Sequence, residues 1–378
     1  EYKRAIQIQP NFAYAHGNLG NTLQEKGRLD EAIVEFRKVL QIQPDDAIVH
    51  VNLGNALEDK HQWDEAIVEY RKALQIQPDD AVAHNNLGWA LSEKGRLDEA
   101  IAEYRKALQI QPDYALAHKN LGYALVNRRQ LDEAITEFRK ALQIQPDDAG
   151  AHTILGDALY ARRQLDDAIT EYKKALQIRP DLAGAHNNLG NALKDKGQLD
   201  EAIAEYKEVL RILPDYAVAH NNLGAALNDK GQWDGAIAEL RQALQIQSNY
   251  AEAHNNLGWA LQHKGQWREV IAEYRKALQI QPDYATARIN LGNALDLAER
   301  DALLPAILRG EAAPADAVQQ VRFADFCQRY KRLDAAAARF YADAFALEPA
   351  LASRLDADRY NAACAAALAG CGQGADGQ

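Results

Sequence analysis

Eight asparagines return at one register of a 34-residue period: Asn18, Asn52, Asn86, Asn120, Asn188, Asn222, Asn256 and Asn290, with Ile154 at the one interrupted place. A carboxamide carries two N–H donors and an acceptor oxygen, so a row of them can meet both the N–H and the C=O groups of an extended peptide backbone. Asn85, Asn187, Asn221 and Asn255 double the row at the preceding position, where Val51, Lys119, Thr153 and Ile289 stand in other periods. Trp89, Tyr123 and Trp259 follow three residues after the row, one helical turn along, and offer rings to grip partner side chains. Glu25, Glu58, Asp59, Glu93, Asp195, Asp229 and Asp296 lie near the ends of the same segments, opposed mainly by Lys194. Such an edge favours a partner with basic residues and disfavours nucleic acid. Each feature also has a purely structural reading: asparagines that bond one another or water, and an acidic edge kept for solubility.

Histidines recur once per period as well, at His16, His50, His84, His118, His152, His186, His220 and His254, with Arg288 at the ninth place. Zinc needs its ligands at about 2.0–2.1 Å, whereas neighbouring packed helices stand roughly 10 Å apart. The histidines are therefore read as packing residues, and no metal or cofactor is expected. Trp63, Trp233 and Trp267 are assigned to the apolar stripe of the second helix of their periods. No Ser-His-Asp or Cys-His arrangement with a plausible context, H-E-x-x-H, glycine-rich phosphate loop, H-R-D or D-F-G occurs in the chain. Catalysis within these residues is not expected.

The elements that carry these residues follow from the period itself. In the unit beginning at Ala183, His186, Leu189, Gly190 and Leu193 share one face of a first helix, and Leu199, Ala202, Ile203, Tyr206, Val209 and Leu210 form the stripe of a second. Gly190 and Ala202 are small where the two backbones approach. Gly197 suits the left-handed residue that ends a helix, Asp200 and Glu201 suit the positive end of the next, Pro214 stops it, and Asp215 is placed to cap the helix that follows. Such a hairpin cannot bury its apolar face alone, so its neighbours must cover it.

The pattern L-G-x-x-L, then A-x-x-x-Y/F-x-x-A-L, then P, repeated without insertion, closely resembles the tetratricopeptide repeat. The resemblance implies an all-α fold, a right-handed superhelical α-solenoid of helical hairpins, whose inner groove holds an extended peptide or partner protein. Family members with an inner asparagine ladder, including the repeat arm of O-linked N-acetylglucosamine transferases, look like backbone readers. The expected organisation is a partial repeat at 1–12, eight units over 13–284, a ninth first helix at 285–300, an irregular junction at 301–316, a degenerate helical cap at 317–370 and a disordered tail at 371–378. Val321, Ala324, Ala337, Tyr341, Ala344 and Pro349 still echo the repeat, and Tyr360–Cys364 reads as the start of a further first helix. Pro305 is expected to shorten or displace the helix it falls in. The tail is loosely similar to segments that end tetratricopeptide regions of large bacterial serine/threonine kinases. That likeness implies an alternative role, the recognition arm of a kinase or glycosyltransferase whose catalytic domain lies elsewhere. A third reading is end-to-end self-association of the stack.

Composition narrows the partners. Lys and Arg total 43 against 54 Asp and Glu, a formal net charge of -11, which argues against a general phosphate-binding or anionic-membrane surface. No 18-residue apolar run is present, so no membrane span is expected. The only cysteines, Cys327, Cys364 and Cys371, form no C-x-x-C pair, and with no visible signal peptide this points to reduced thiols and a cytoplasmic compartment. The chain holds no methionine and opens on EYKRAIQIQP, the back half of a repeat, so it reads as an excerpt of a longer polypeptide.

Overall fold

The structure, a computed structural model, describes residues 1–348 and 350–351. All regular structure among the described residues is helical. Two compact units divide the chain, Glu1–Lys196 and Gly197–Gln378. The first begins with the short helix Tyr2–Ile8 and continues as hairpins. Its first helices are Ala13–Glu25, Ala47–Asp59, Ala81–Glu93, Ala115–Asn127, Ala149–Ala161 and Ala183–Asp195. Its second helices are Leu29–Ile42, Trp63–Ile76, Leu97–Ile110, Leu131–Ile144 and Leu165–Ile178. The second unit opens with Leu199–Ile212, adds the hairpins Ala217–Asp229 with Trp233–Ile246 and Ala251–His263 with Trp267–Ile280, and ends in Ala285–Leu308, Ala317–Phe326 and Asp334–Leu347.

One hairpin shows why the sequence folds this way. Ala100, Ile101, Tyr104 and Ala107 recur at i, i+1, i+4 and i+7 and are the buried residues of Leu97–Ile110, while Asp98 and Glu99 occupy its first turn. The preceding helix ends with Gly95 at φ 72°; the Gly95 N–H donates to Ser92 O and the Arg96 N–H to Leu91 O, the paired closure of a left-handed helix stop. Where the turn glycine is absent, His61, Arg129 and Arg163 adopt the same left-handed conformation at φ 59°, 60° and 60°, at a cost of about 1 kcal/mol each.

The two helices of a hairpin meet at a glycine. A Cβ on Gly54, Gly88, Gly122 or Gly156 would stand 2.5–2.7 Å from Cε1 of Tyr70, Tyr104, Phe138 or Tyr172 respectively. Each of these rings is essentially fully buried. Successive hairpins meet through smaller side chains: Ala81, Ala107 and Ala117 form one such contact, flanked by Leu108 and Tyr114.

Several expectations are corrected. Asp215 does not cap a helix; Tyr216 occupies that position without a side-chain bond. The side-chain caps sit one residue later in the repeat, where Asp46, Asp80 and Asp148 accept the N–H groups of Val49, of Val82 and Ala83, and of Ala151. Of the three tryptophans assigned to the second-helix stripe, only Trp267 is buried. Trp63 and Trp233 are half-buried at the start of their helices, with Trp63 5.4 Å from the His61 ring and Trp233 stacked on His263 at 3.8 Å.

The helix expected to stop at Arg300 instead continues to Leu308 and contains Pro305. Ala298, Glu299 and Arg300 are good helix formers at the register where other repeats turn, and Pro305 lies in the last turn. Leu304 and Ile307 then join Trp267, Phe323, Phe326 and Phe340 in one buried cluster. Ala317–Phe326 is capped by the Asp316 side chain on the Gln319 N–H and runs into a single wider turn, Cys327–Lys331, closed by Arg332 at φ 54°. The features expected at Pro349, at Tyr360–Cys364 and at 371–378 lie outside the described residues.

Two glycine substitutions have opposite expected signs. Gly88→Ala drives a methyl against the buried Tyr104 ring and lowers stability by about 1–3 kcal/mol. Gly292 has nothing within 4 Å of an added Cβ, so Gly292→Ala raises helix stability by about 0.5–1 kcal/mol. Chemical unfolding of both variants checks the pair.

Candidate functional site

The asparagine row lies along the first helices, and its members bond one another across repeats. In the first unit, Asn52 Nδ2 donates to Asn21 Oδ1 at 3.3 Å and Asn86 Nδ2 to Asn55 Oδ1 at 3.0 Å. Asn188 Nδ2 donates to Asp157 Oδ1 at 2.8 Å. In each case the acceptor stands 31 residues earlier, one turn past the row position of the preceding helix. Asn55 and Asp157 also accept the hydroxyls of Tyr70 and Tyr172, both at 2.8 Å. The hairpin core is thereby wired to the row.

A second mode operates where that acceptor position holds Trp89, Ala225 or Trp259. Asn120, Asn256 and Asn290 then donate to Asn85, Asn221 and Asn255, 35 residues earlier, each at 3.0 Å. Asn85, Asn221 and Asn255 in turn donate to the row residue beside them, Asn86, Asn222 and Asn256, at 3.1–3.5 Å. Asn187 donates to Asn188 in the same way at 3.3 Å. Asn18 bonds within its own helix, to Tyr14 O. Asn85, Asn120, Asn221 and Asn255 are buried, which removes them from the open groove surface and makes them the linkers of the row. The acceptors Asn21, Asn55 and Asp157 were missed from sequence, although they repeat one turn beyond residues already singled out.

Aromatic and apolar surface flanks the row. Tyr123 and Trp259 are 38% and 41% exposed, enough for a ring face to meet a partner. Tyr123 packs edge-on against Phe138 at 5.7 Å, and Trp259 edge-on against His263 at 5.3 Å. Trp89 is half-buried. Near the start of the first unit a cleft of about 520 Å³ opens between Phe12, Tyr14, Asn18, Asn21, Ile48 and Asn52. Tyr14 and Ile48 are mostly exposed there, so two rows of amides and three apolar side chains face one concavity.

The acidic edge is partly neutralised from within. Asp59 accepts from Gln24 at 2.8 Å, Asp195 accepts from Tyr160 and Arg163 at 2.7 and 3.0 Å, and Asp296 pairs with Arg300. Burial pushes the Glu58 carboxyl above the ordinary carboxylate range; the Tyr70 hydroxyl, donating at 2.8 Å, pulls it back, while Asp59 and Glu93 add to the rise. Asp157 is likewise raised by burial against the bonds from Tyr172 and Asn188. The histidines take no part in the row and pair instead with second-helix glutamates. Among the described residues no group of three or more His, Cys, Asp or Glu side chains could hold a metal ion, and no helix is long and apolar enough to cross a membrane.

Comparisons with known proteins bear on this arrangement. A TPR repeat family model matches residues 20–61, 156–197, 190–229, 224–265 and 260–296, and tetratricopeptide repeat models match 45–113, 91–158 and 1–34. No curated protein matches. Among solved structures, a chain of the APC/C hetero-tetramer Cut9-Hcn1 is similar with a TM-score of 0.52 at 19% identity, over 76% of this chain and 56% of that one. YrrB, described as a TPR protein with an unusual peptide-binding site, is 28% identical over 49% of this chain and 95% of its own, with a TM-score of 0.45. PilF of Pseudomonas aeruginosa is 26% identical over 53% of this chain and 92% of its own, with a TM-score of 0.49.

The row's wiring sets two expectations for unfolding experiments. Asn85→Ala strands the buried Asn120 amide and costs about 1–3 kcal/mol, whereas Asn18→Ala, which loses only a bond within its own helix, costs less than about 0.5 kcal/mol. Asp157→Asn keeps an acceptor for Tyr172 and Asn188 and removes a charge that burial disfavours. Because the folded-state pKa of Asp157 is raised, the wild type loses stability as pH rises through that value. The variant therefore gains stability near neutral pH, and its advantage fades as pH falls through the raised value and is gone by the ordinary carboxylate value, about 4.

Proposed function

Because this chain belongs to the tetratricopeptide repeat family, a family of protein-interaction scaffolds, we propose that its first-helix face holds an extended segment of a partner protein. The observation that carries this reading is the cleft of about 520 Å³ in which Asn18, Asn21 and Asn52 stand beside Phe12, Tyr14 and Ile48. An extended chain advances about 3.3 Å per residue and adjacent first helices are roughly 10 Å apart, so successive row amides meet about every third residue of the guest.

The bonds within the row support recognition rather than compete with it. Each donating carboxamide uses one of its two N–H groups and retains acceptor lone pairs by its own chemistry. Holding the side chains in place beforehand reduces the ordering cost when a guest backbone docks. The rings of Trp89, Tyr123 and Trp259 then grip alternate guest side chains, and Glu58 and Glu93 favour basic ones. Asn86, Asn188, Asn222, Asn256 and Asn290 extend the same reading along each unit, with Asn85, Asn187, Asn221 and Asn255 as the supports that orient them.

Peptides selected on the immobilised chain from a random linear library provide the test. The combined variant Tyr14→Ala, Asn52→Ala, Asn86→Ala is expected to bind them at least about tenfold more weakly, some 1.4 kcal/mol, while remaining folded by circular dichroism. Unchanged affinity in the folded variant contradicts the assignment of this face.

A further inference from the structure

Seven of the eight repeat histidines stand between two acceptors. In His16, His50, His84, His118, His152, His220 and His254, Nδ1 lies 2.5–2.7 Å from a glutamate oxygen 19 residues later: Glu35, Glu69, Glu103, Glu137, Glu171, Glu239 and Glu273. Nε2 of the same rings lies 2.7–3.1 Å from a backbone carbonyl six residues earlier, that of a proline in six repeats and of Ser248 in the seventh. A carbonyl oxygen has no proton to give, and an ionised carboxylate has none either. A neutral imidazole carries one N–H and one lone pair, so it would set that lone pair against an oxygen. Only the imidazolium, with a proton on each nitrogen, satisfies both contacts.

Two further observations point the same way. The glutamates have a fixed cation beside them: the lysine three residues on stands 2.8–2.9 Å from the other carboxylate oxygen of Glu35, Glu69, Glu103, Glu137, Glu171 and Glu273. At the ninth place, where the histidine is replaced, Arg288 donates through Nη2 to Pro282 O at 2.7 Å. A permanently charged donor makes the same bond at the same register.

We propose that the histidine row is a proton-dependent clamp between repeats: each imidazolium ties the turn that ends one hairpin to both helices of the next, and loss of its proton releases one of those ties. The charges around the clamp are consistent with it. His118 shares an outer crevice with Glu137 and Lys140 of its own hairpin, Arg105 of the preceding second helix and Asp113 of the turn. Lys140 engages the other oxygen of Glu137 and Arg105 pairs with Glu133, so the cations near the ring are themselves countered. His152 has the corresponding set, Glu171, Lys174, Arg139 and Asp147, and His254 has Glu273, Lys276 and Arg241.

The sign follows. Both contacts need a ring proton, so the clamp is complete only while Nδ1 and Nε2 are both protonated, and it loses one tie when a rise in pH removes the second proton. On the acid side the tie to glutamate is lost as the lowered carboxylates of Glu35, Glu103, Glu137 and Glu273 protonate, below their ordinary range. The unfolding midpoint is therefore expected to fall on the order of 10 °C between pH 6 and pH 9. Long-range proton–nitrogen spectra of the ring nitrogens at pH 6 read the same state directly, with both nitrogens protonated in the clamped rings. In the triple variant Glu103→Gln, Glu137→Gln, Glu171→Gln, an amide donor faces Nδ1 and suits the neutral ring, so the alkaline fall shrinks or reverses. A wild-type chain whose rings are neutral at pH 6, or whose midpoint is flat over this range, overturns the proposal. So does a folded triple variant that retains the full alkaline fall. The wild-type spectra decide the matter if the variant does not fold.

Discussion

At Gly54, Gly88, Gly122 and Gly156 a first-helix glycine meets a large ring of the second helix, and the bonds made by Tyr70 and Tyr172 depend on that approach. With no Cβ on Gly54 or Gly156, the rings of Tyr70 and Tyr172 come within a distance that any other residue would obstruct. That approach buries the ring and brings its hydroxyl to the residue that follows the glycine, Asn55 or Asp157. The same residue then accepts the amide of the next repeat. One steric allowance links core packing within a hairpin to hydrogen bonding between hairpins. Where the pattern varies, the wiring changes with it: the Tyr274 hydroxyl, whose hairpin carries Trp259 at the acceptor position, is buried without a partner, and Leu240 opposite Gly224 has no hydroxyl to donate.

Carboxamides and histidines both tie neighbouring hairpins, beside surface ion pairs such as Lys94–Asp64 and Arg71–Glu99. Carboxamides connect first helices to one another, while histidines connect each inter-repeat turn to the hairpin that follows. Two apolar contacts between hairpins centre on alanine, at Ala81, Ala107 and Ala117 and at Ala149, Ala175 and Ala185, which offers little area per side chain. Directional bonds therefore help to specify the register of the stack. The histidine tie depends on protonation. The ties between two carboxamides contain no titratable group, whereas the Asn188–Asp157 tie contains one.

Much of this was legible in the sequence, and the misses have a common cause. The 34-residue period located the hairpins, the apolar stripes and the left-handed turns, because each depends on residues close together in the chain. Which partner an asparagine side chain bonds depends on how two helices from different repeats are juxtaposed, so Asn21, Asn55 and Asp157 went unrecognised as acceptors. The glutamate 19 residues after each histidine repeats just as faithfully, yet periodicity alone assigns it no partner. At the C-terminal end the local signals conflicted. Pro305 argued for a break, since it removes the N–H that would bond the carbonyl four residues earlier, but burial of Leu304 and Ile307 in one cluster with Trp267 and Phe323 favoured continuation.

The central claim is that the amide row of the first helices is the face a partner chain meets. Side-chain amide NMR signals test it most directly, through titration of the labelled chain with a selected linear peptide. The account predicts that Asn18, Asn52 and Asn86 shift or gain protection on saturation while Gln109 and Gln143, which line the outer crevices, stay in place. Movement of the outer glutamines with an unperturbed asparagine row would contradict it.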